Sequence, residues 1–206
     1  MRPYLNQNWK QKETQSTNEG IRSLKQISSD WLLVIDMQPA FGAKESPWFV
    51  PGYAECAENV ASLVDSFQNN VLFTRFVPPV NPQGSWRSYY EQHRFALETP
   101  NKGFWELDSR WQGRSSIASH RFAKWREAAE LIPTNVNLVM CGVATDCCVL
   151  GTVLEANDDG RRVQLVSDAS AAATSDLHNA ALAIFADRRE QLTVTNTNKV
   201  IADRGC

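Results

Sequence analysis

The feature that most constrains the fold is the alternation of short apolar runs with segments of helical periodicity. Near-continuous apolar runs of strand length are typical of strands buried on both faces of a parallel sheet. They occupy residues 31–38, 70–77, 136–143 and 161–169, and "QLTVTN" closes the series. Helical spacing of apolar residues occurs at 54–69 and 175–187, and another helix is expected to end near residue 157. We expect Ser175 or Asp176 to cap the helix at 175–187, and Thr145 or Asp146 to cap the helix that follows residues 136–143. The alternation predicts an α/β fold, with a mostly parallel sheet and helices on both faces.

The chain of 206 residues has a length that suits one such domain. Residues 1–28 are polar and show no period, so we interpret them as an N-terminal arm, and residues 29–206 as the domain. Residues 78–118 are rich in Pro, Gly, Trp and Tyr, which indicates a long excursion over the strand ends. In open α/β sheets, ligands bind at the carboxyl ends of the strands.

Composition argues against several classes of partner. The formal net charge of −2 indicates neither nucleic acid nor an anionic membrane surface as a partner. No apolar stretch approaches the roughly 20 residues of a membrane span. The polar N-terminus has no apolar region typical of a secretory signal. Five cysteines form an odd set without framework spacing, so a reduced, cytoplasmic protein is expected.

Two places in the sequence combine a reactive side chain with a strand end. Asp36 follows an apolar strand, where it is either a turn or cap carboxylate, or a general acid or base in a pocket. Cys147 and Cys148 fall in the first turn of a predicted helix, whose free N–H groups favour a thiolate or an oxyanion. Neighbouring helical positions point about 100° apart. Only one of the two cysteines can therefore face a given pocket, and the other fills the core.

Three segments together resemble the isochorismatase-like cysteine hydrolases over roughly residues 30–195. They are "LLVIDMQPAF", "GVATDCCVLGTVLEA" and "GRRVQLVSDASAA", in this order and at domain spacing. The resemblance implies a three-layer, Rossmann-like fold, no redox cofactor and a homo-oligomer. It also implies hydrolysis of the C–N bond of a small molecule or, in one branch of the family, of a vinyl ether.

Carried onto this sequence, the resemblance assigns a role to each motif residue. Cys148 takes the nucleophile position because Val149 follows it directly, and Asp36 takes the position of the base. The family pattern implies a cis peptide bond between Val143 and Ala144. It also assigns the amides of Ala144 and Cys148 to the oxyanion hole.

The lysine of the family pattern is replaced in this chain. The matching segment is "SHRFAKW", in which Ser119 stands at the lysine position and Lys124 lies five residues later. We therefore list Ser119 with the catalytic residues and expect another cation to approach Asp36. The candidates are Arg75, which we prefer, and Lys124, His120 and Arg121.

Two alternatives to a cofactor-free amide or ureide hydrolase stay open at this point. A site without a lysine suits vinyl-ether hydrolysis with Asp36 as the acid, or a non-catalytic protein that binds a small molecule. We predict substrate contacts from side chains near the strand ends, namely Gln38, Phe41, Trp48, Arg75, Trp86 and Trp105. No metal is expected, because His93, His120 and His178 have no ligand spacing, and His178 is interpreted as a surface residue.

Overall fold

The computed structural model describes residues 30–98 and 102–205, so the predicted N-terminal arm lies outside the described residues. Within these ranges six strands form one sheet in which every pairing is parallel. Its spatial order is β3-β2-β1-β4-β5-β6. The strands are β1 (Trp31–Ile35), β2 (Val71–Phe76), β3 (Ser116–Ser119), β4 (Leu138–Val143), β5 (Val163–Ala171) and β6 (Leu192–Thr195). The predicted α/β architecture is confirmed.

Helices cover both faces of the sheet and complete a three-layer domain. In chain order they are α1 (Pro39–Gly42), α2 (Tyr53–Phe67), α3 (Trp86–Gln92), α4 (Phe95–Glu98), α5 (Trp125–Ala128), α6 (Leu150–Asp158), α7 (Ser175–Ala186) and α8 (Thr197–Asp203). Successive side chains of β1 point to opposite faces of the sheet. Leu32 and Val34 lie in the core under α2 and α8, whereas Leu33 and Ile35 lie in the core under α5, α6 and α7. None of the described helices is long and apolar enough to span a membrane.

The predicted excursion between β2 and β3 folds over the carboxyl ends of the strands. It contains α3, α4 and two 3₁₀ turns at Lys102–Trp105 and Ser109–Trp111. Its buried side chains, among them Tyr90 and Trp111, join the α2 side of the core. The aromatic residues of the excursion thus form much of the wall around the strand ends.

Two local predictions about helix starts were wrong. We expected Thr145 or Asp146 to cap the helix after β4, but a π-helical turn, Thr145–Val149, precedes α6 there and has no side-chain cap bond. The N-cap of α7 is Thr174, whose side chain accepts from the amide of Leu177, one residue earlier than predicted.

The centre of the sheet is where a ligand is expected. β1 and β4 are neighbours in space, and the chain turns outward in opposite directions from them. In doubly wound sheets this switch point opens a crevice at the carboxyl ends of the strands. Asp36 follows β1 and the π-helical turn follows β4, so both predicted reactive segments flank the same crevice.

Gly142 permits the close approach of β4 to β1, and its replacement should strongly destabilise the protein. Its φ is +118°, and a Cβ atom at this position would lie 2.1 Å from the Ile35 carbonyl oxygen. We expect Gly142→Ala to lower the free energy of unfolding by more than about 4 kcal/mol, measured by urea denaturation. The matched control is Gly160→Ala, also at positive φ but with nothing within 4 Å. Equal losses in the two variants would contradict the assigned close contact.

Candidate active site

Asp36 is held at the end of β1 by Thr74 on the adjacent strand β2. The Asp36 side chain is fully buried, and its backbone has a positive φ of 51°. Thr74 Oγ1 donates to Asp36 Oδ1 at 2.6 Å, and the Asp36 amide donates to Thr74 Oγ1 at 3.2 Å. This pair of bonds fixes the carboxylate, because each group orients the other.

Lys124 forms a buried ion pair with Asp36. Its Nζ lies 2.9 Å from Asp36 Oδ2, and both side chains are 0% exposed. The ammonium also donates to the carbonyl oxygens of Arg121 at 2.6 Å and Phe122 at 3.0 Å. The three partners match the three N–H groups of the ammonium, so the charge is held in one place.

The ammonium of Lys124 stays charged although it is buried. Burial lowers the pKa of Lys124, but the charge of Asp36 and the nearby thiols raise it more, so the pKa of Lys124 lies above its ordinary value. Apart from the ion pair, Asp36 Oδ2 has no hydrogen-bond partner among the described residues. This oxygen therefore has a free lone pair that can take a proton.

One threonine connects the lysine to the cysteine segment. Thr152, on α6, accepts from the Lys124 amide at 3.0 Å and donates to the Cys148 carbonyl oxygen at 2.6 Å. The segment after β3 is thus bound to the helix that follows β4. This packing brings Lys124 back to the strand ends although β3 stops five residues earlier.

The structure corrects our preference for Arg75 as the cation near Asp36. Its guanidinium pairs with Glu106 at 2.6 Å and donates to a backbone carbonyl, because Arg75 points to the face of β2 opposite Thr74. Arg121 likewise pairs with Glu155 at 2.6 Å. Of the proposed cations, Lys124 is the one that reaches Asp36.

Ser119 also differs from its predicted position in the catalytic group. Its hydroxyl donates to Glu127 Oε1 at 3.0 Å and accepts from the Arg121 amide at 3.2 Å. Ser119 therefore stabilises the start of the segment that carries Lys124. The sequence contained a signal in favour of Lys124 as the cation, because it is the only lysine between Lys102 and Lys199.

The two adjacent thiols lie in the π-helical turn after β4. Cys148 is buried and Cys147 is partly exposed. A hydrogen bond between the side chains lowers the pKa of Cys147 and raises that of Cys148, which burial raises further, while the charge of Lys124 lowers both. The two thiols thus titrate as a pair. Burial raises the pKa of the other core thiols, Cys56 and Cys141, well above the ordinary value.

A cavity of about 210 Å³ opens onto the cysteine turn. Its lining residues are mainly aromatic or apolar, with Asp146 and the two thiols as polar members. They are Phe41, Pro47, Trp48, Phe49, Val50, Phe76, Tyr89, Phe122, Ala144, Asp146, Cys147, Cys148 and Ala173. Phe41 and Trp48 were predicted to contact substrate, whereas Tyr89 and Phe122 were missed because their segments are distant in sequence.

Three other predicted contact residues stand behind this wall. Gln38 is buried, and its amide exchanges hydrogen bonds of 2.7 and 3.0 Å with the backbone of Phe76. Trp105 packs its ring against Trp48 and Phe76, and Trp86 packs against Phe122. All three therefore hold the lining residues in place.

His178 also differs from its surface interpretation. It is partly buried, and its Nδ1 lies 3.0 Å from Thr145 Oγ1. Burial lowers its pKa, which the charge of Asp146 partly offsets. Across residues 30–98 and 102–205, no group of three or more His, Cys, Asp or Glu side chains could hold a metal ion.

The comparisons with known proteins agree with this architecture. The family model of the isochorismatase domain matches residues 30–198. The chain belongs to the isochorismatase family. This membership places it among isochorismatase-like hydrolases. A search of the curated proteins found no match.

Three solved structures share the fold at low sequence identity. A cysteine hydrolase from Pseudomonas syringae pv. phaseolicola 1448A has a TM-score of 0.75 at 18% identity, covering 85% of this chain and 92% of that one. A nicotinamidase/pyrazinamidase from Bacillus subtilis has a TM-score of 0.66 at 19% identity, covering 81% and 99%. An isochorismatase from Pseudomonas putida KT2440 has a TM-score of 0.58 at 24% identity, covering 84% and 90%.

One backbone feature that the sequence resemblance implied is present. The peptide bond between Val143 and Ala144 is cis, as the sequence resemblance implied. The lysine that contacts Asp36 is Lys124, five residues after Ser119.

Proposed function

We propose that this protein hydrolyses the C–N bond of a small amide or ureide, with Cys148 as nucleophile and Asp36 as base. The observation that carries the proposal is the buried Asp36–Lys124 pair beside a cavity that Cys148 lines. A carboxylate next to a thiol and a fixed ammonium is suited to nucleophilic catalysis. No other titratable group is needed to move the protons.

In the first half of the reaction, Asp36 Oδ2 takes the proton of the Cys148 thiol. The thiolate sulfur attacks the substrate carbonyl carbon and forms a tetrahedral oxyanion. The amides of Ala144 and Cys148, two residues that line the cavity, would donate to that oxygen. Asp36 then returns the proton to the nitrogen, the C–N bond breaks, and ammonia or an amine leaves a thioester on Cys148.

In the second half, Asp36 takes a proton from a water molecule, and the hydroxide oxygen attacks the thioester carbonyl. The C–S bond breaks, the carboxylic acid leaves, and the proton returns to the Cys148 sulfur. Throughout both halves, Lys124 offsets the negative charge shared among Asp36, the sulfur and the oxyanion. Its fixed position means that it need not reorganise during the reaction.

The position of Lys124 also bears on the two alternative functions. Vinyl-ether hydrolysis and a purely binding role are alternatives that follow from Ser119 at the lysine position of the family pattern. With Lys124 2.9 Å from Asp36, that reason no longer applies. Amide or ureide hydrolysis is therefore the function that the geometry supports best.

The proposal is tested by offering the protein a panel of small primary amides and ureides, together with isochorismate. We expect ammonia release with an acid of matching mass for at least one amide or ureide, and a protein mass increased by the acyl group after an acid quench. Consumption of isochorismate alone would instead support the vinyl-ether reaction. Binding of a panel member without any turnover would support the non-catalytic alternative.

A further inference from the structure

The charges around the cavity are unevenly distributed. Among the lining residues, Asp146 is the one with a carboxylate side chain, and there is no lysine, arginine or histidine. Asp146 Oδ1 is buried and has no hydrogen-bond partner among the described residues. The rest of the wall is largely built from six aromatic rings, those of Phe41, Trp48, Phe49, Phe76, Tyr89 and Phe122.

The cations closest to the cavity are not available to an anionic ligand. The ammonium of Lys124 contacts Asp36 and two carbonyl oxygens, which occupy its three N–H groups. His178 lies near Asp146, but its Nδ1 is engaged with Thr145 Oγ1 and burial lowers its pKa, so it is a poor ionic partner for an anion. A carboxylate or phosphate on the acyl side of a substrate would therefore meet negative charge without a partner.

We propose that the cavity selects an acyl group that carries a positive charge on or next to a small ring. Aromatic rings attract cations through their quadrupole, and a carboxylate in the same wall adds a direct ionic partner. The volume of about 210 Å³ is below the roughly 300–1,000 Å³ of sites for drug-sized ligands, so a single ring with a short substituent fits it. This inference rests on the proposed function for the identity of the cleaved bond. The preference for a positively charged group does not depend on it.

The test uses three carboxamides of similar size and different charge: 1-methylpyridinium-3-carboxamide, benzamide and 3-carboxybenzamide. We expect kcat/KM to fall in that order, with about a tenfold difference between the cation and the neutral amide, which corresponds to a contact of about 1.4 kcal/mol. The anion should be a still poorer substrate. A preference for the neutral or the anionic amide, or equal rates, would overturn the inference and leave the proposed function intact.

Asp146→Asn identifies the group responsible for the charge preference. The ratio of kcat/KM for the cation to that for benzamide should fall several-fold in this variant. A ratio cancels any effect of Asp146 on the thiols, since both substrates use the same nucleophile. The matched control is Asp158→Asn, a substitution at an exposed carboxylate at the far end of α6, which should keep the ratio of the unmodified protein. An unchanged ratio in Asp146→Asn would overturn the assignment to Asp146.

Binding of the same three amides to the Cys148→Ala variant, measured by calorimetry, separates the two proposals. If the unmodified protein hydrolyses no member of the amide and ureide panel but the cation binds the variant most tightly, the inference stands and the hydrolase proposal fails. If none of the three amides binds, the inference is overturned.

Discussion

Replacing Cys148 with alanine should abolish hydrolysis of any amide that the protein accepts, whereas Cys147→Ala should retain most of the activity. We assign the nucleophile to Cys148. Its backbone carbonyl oxygen accepts from the Thr152 hydroxyl, which in turn accepts from the Lys124 amide. Loss of a catalytic nucleophile typically costs on the order of 10⁶ in kcat. The measurement is kcat/KM for the best amide of the panel, with circular dichroism to verify that each variant is folded.

The two single variants also test how the thiols share a proton. The hydrogen bond from Cys148 lowers the pKa of Cys147, so Cys148→Ala should return that pKa towards its ordinary value. Since the thiolate is the species that reacts with iodoacetamide, alkylation of Cys147 at pH 7 should become slower in this variant. If Cys147→Ala were inactive and Cys148→Ala active, the assignment of the nucleophile would be reversed.

Replacing Lys124 with methionine should lower both activity and stability. The side chains are similar in length, but methionine leaves the Asp36 carboxylate buried without its partner. Removing one partner of a buried ion pair typically costs about 3–5 kcal/mol, and removing a positioned electrostatic group lowers kcat by about 10²–10³. We expect effects of this size in urea denaturation and in the hydrolysis assay.

Ser119→Ala is the matched control, because Ser119 occupies the position of the lysine in the family pattern. Its hydroxyl bonds Glu127, so its loss should cost about 1 kcal/mol of stability and change kcat/KM by no more than a few-fold. If Ser119→Ala impaired hydrolysis as much as Lys124→Met, the assignment of Lys124 would be contradicted.

Two further measurements identify the charge as the cause of the Lys124 effect. The double variant Asp36→Asn/Lys124→Met should be more stable than Lys124→Met alone, because it leaves no unpaired buried charge. The pKa of Lys124 in the folded protein lies above its ordinary value of about 10.4. The stability that the ammonium contributes should therefore be complete below that pH, and should be lost as the pH rises through the folded-state pKa.

The sequence by itself determined the fold and the location of the crevice. Apolar runs such as residues 31–38 indicate buried parallel strands because such strands exclude water on both faces, a property that requires no knowledge of neighbours. Asp36 and the "GVATDCCV" turn were both predicted at strand ends, and parallel strands bring their carboxyl ends to one edge of the sheet. That both segments lie at one edge of the sheet thus follows from local pattern, whereas their direct adjacency follows from the strand order, in which β1 and β4 are neighbours.

The source of the cation was decided only by the tertiary structure. β3 ends at Ser119, the position at which the family pattern has its lysine. Lys124 lies in the segment beyond the strand and folds back to the strand ends. The return depends on the Thr152 hydroxyl, which contacts the Lys124 amide and the Cys148 carbonyl oxygen. The contact between Thr152 and Lys124 joins residues 28 positions apart, and no local periodicity encodes it.

For the aromatic side chains, too, the sequence indicated the general location, and the tertiary structure decided which of them line the cavity. Their number in residues 78–118 indicated a wall over the strand ends, but which rings face the cavity depends on how the short helices of this excursion pack against one another. Tyr89 lines the cavity, whereas Trp86, three residues earlier, lies behind it against Phe122. Burial of apolar area is non-directional, so composition predicts that such rings pack together. The direction in which each ring points is set by contacts with residues far away in the chain.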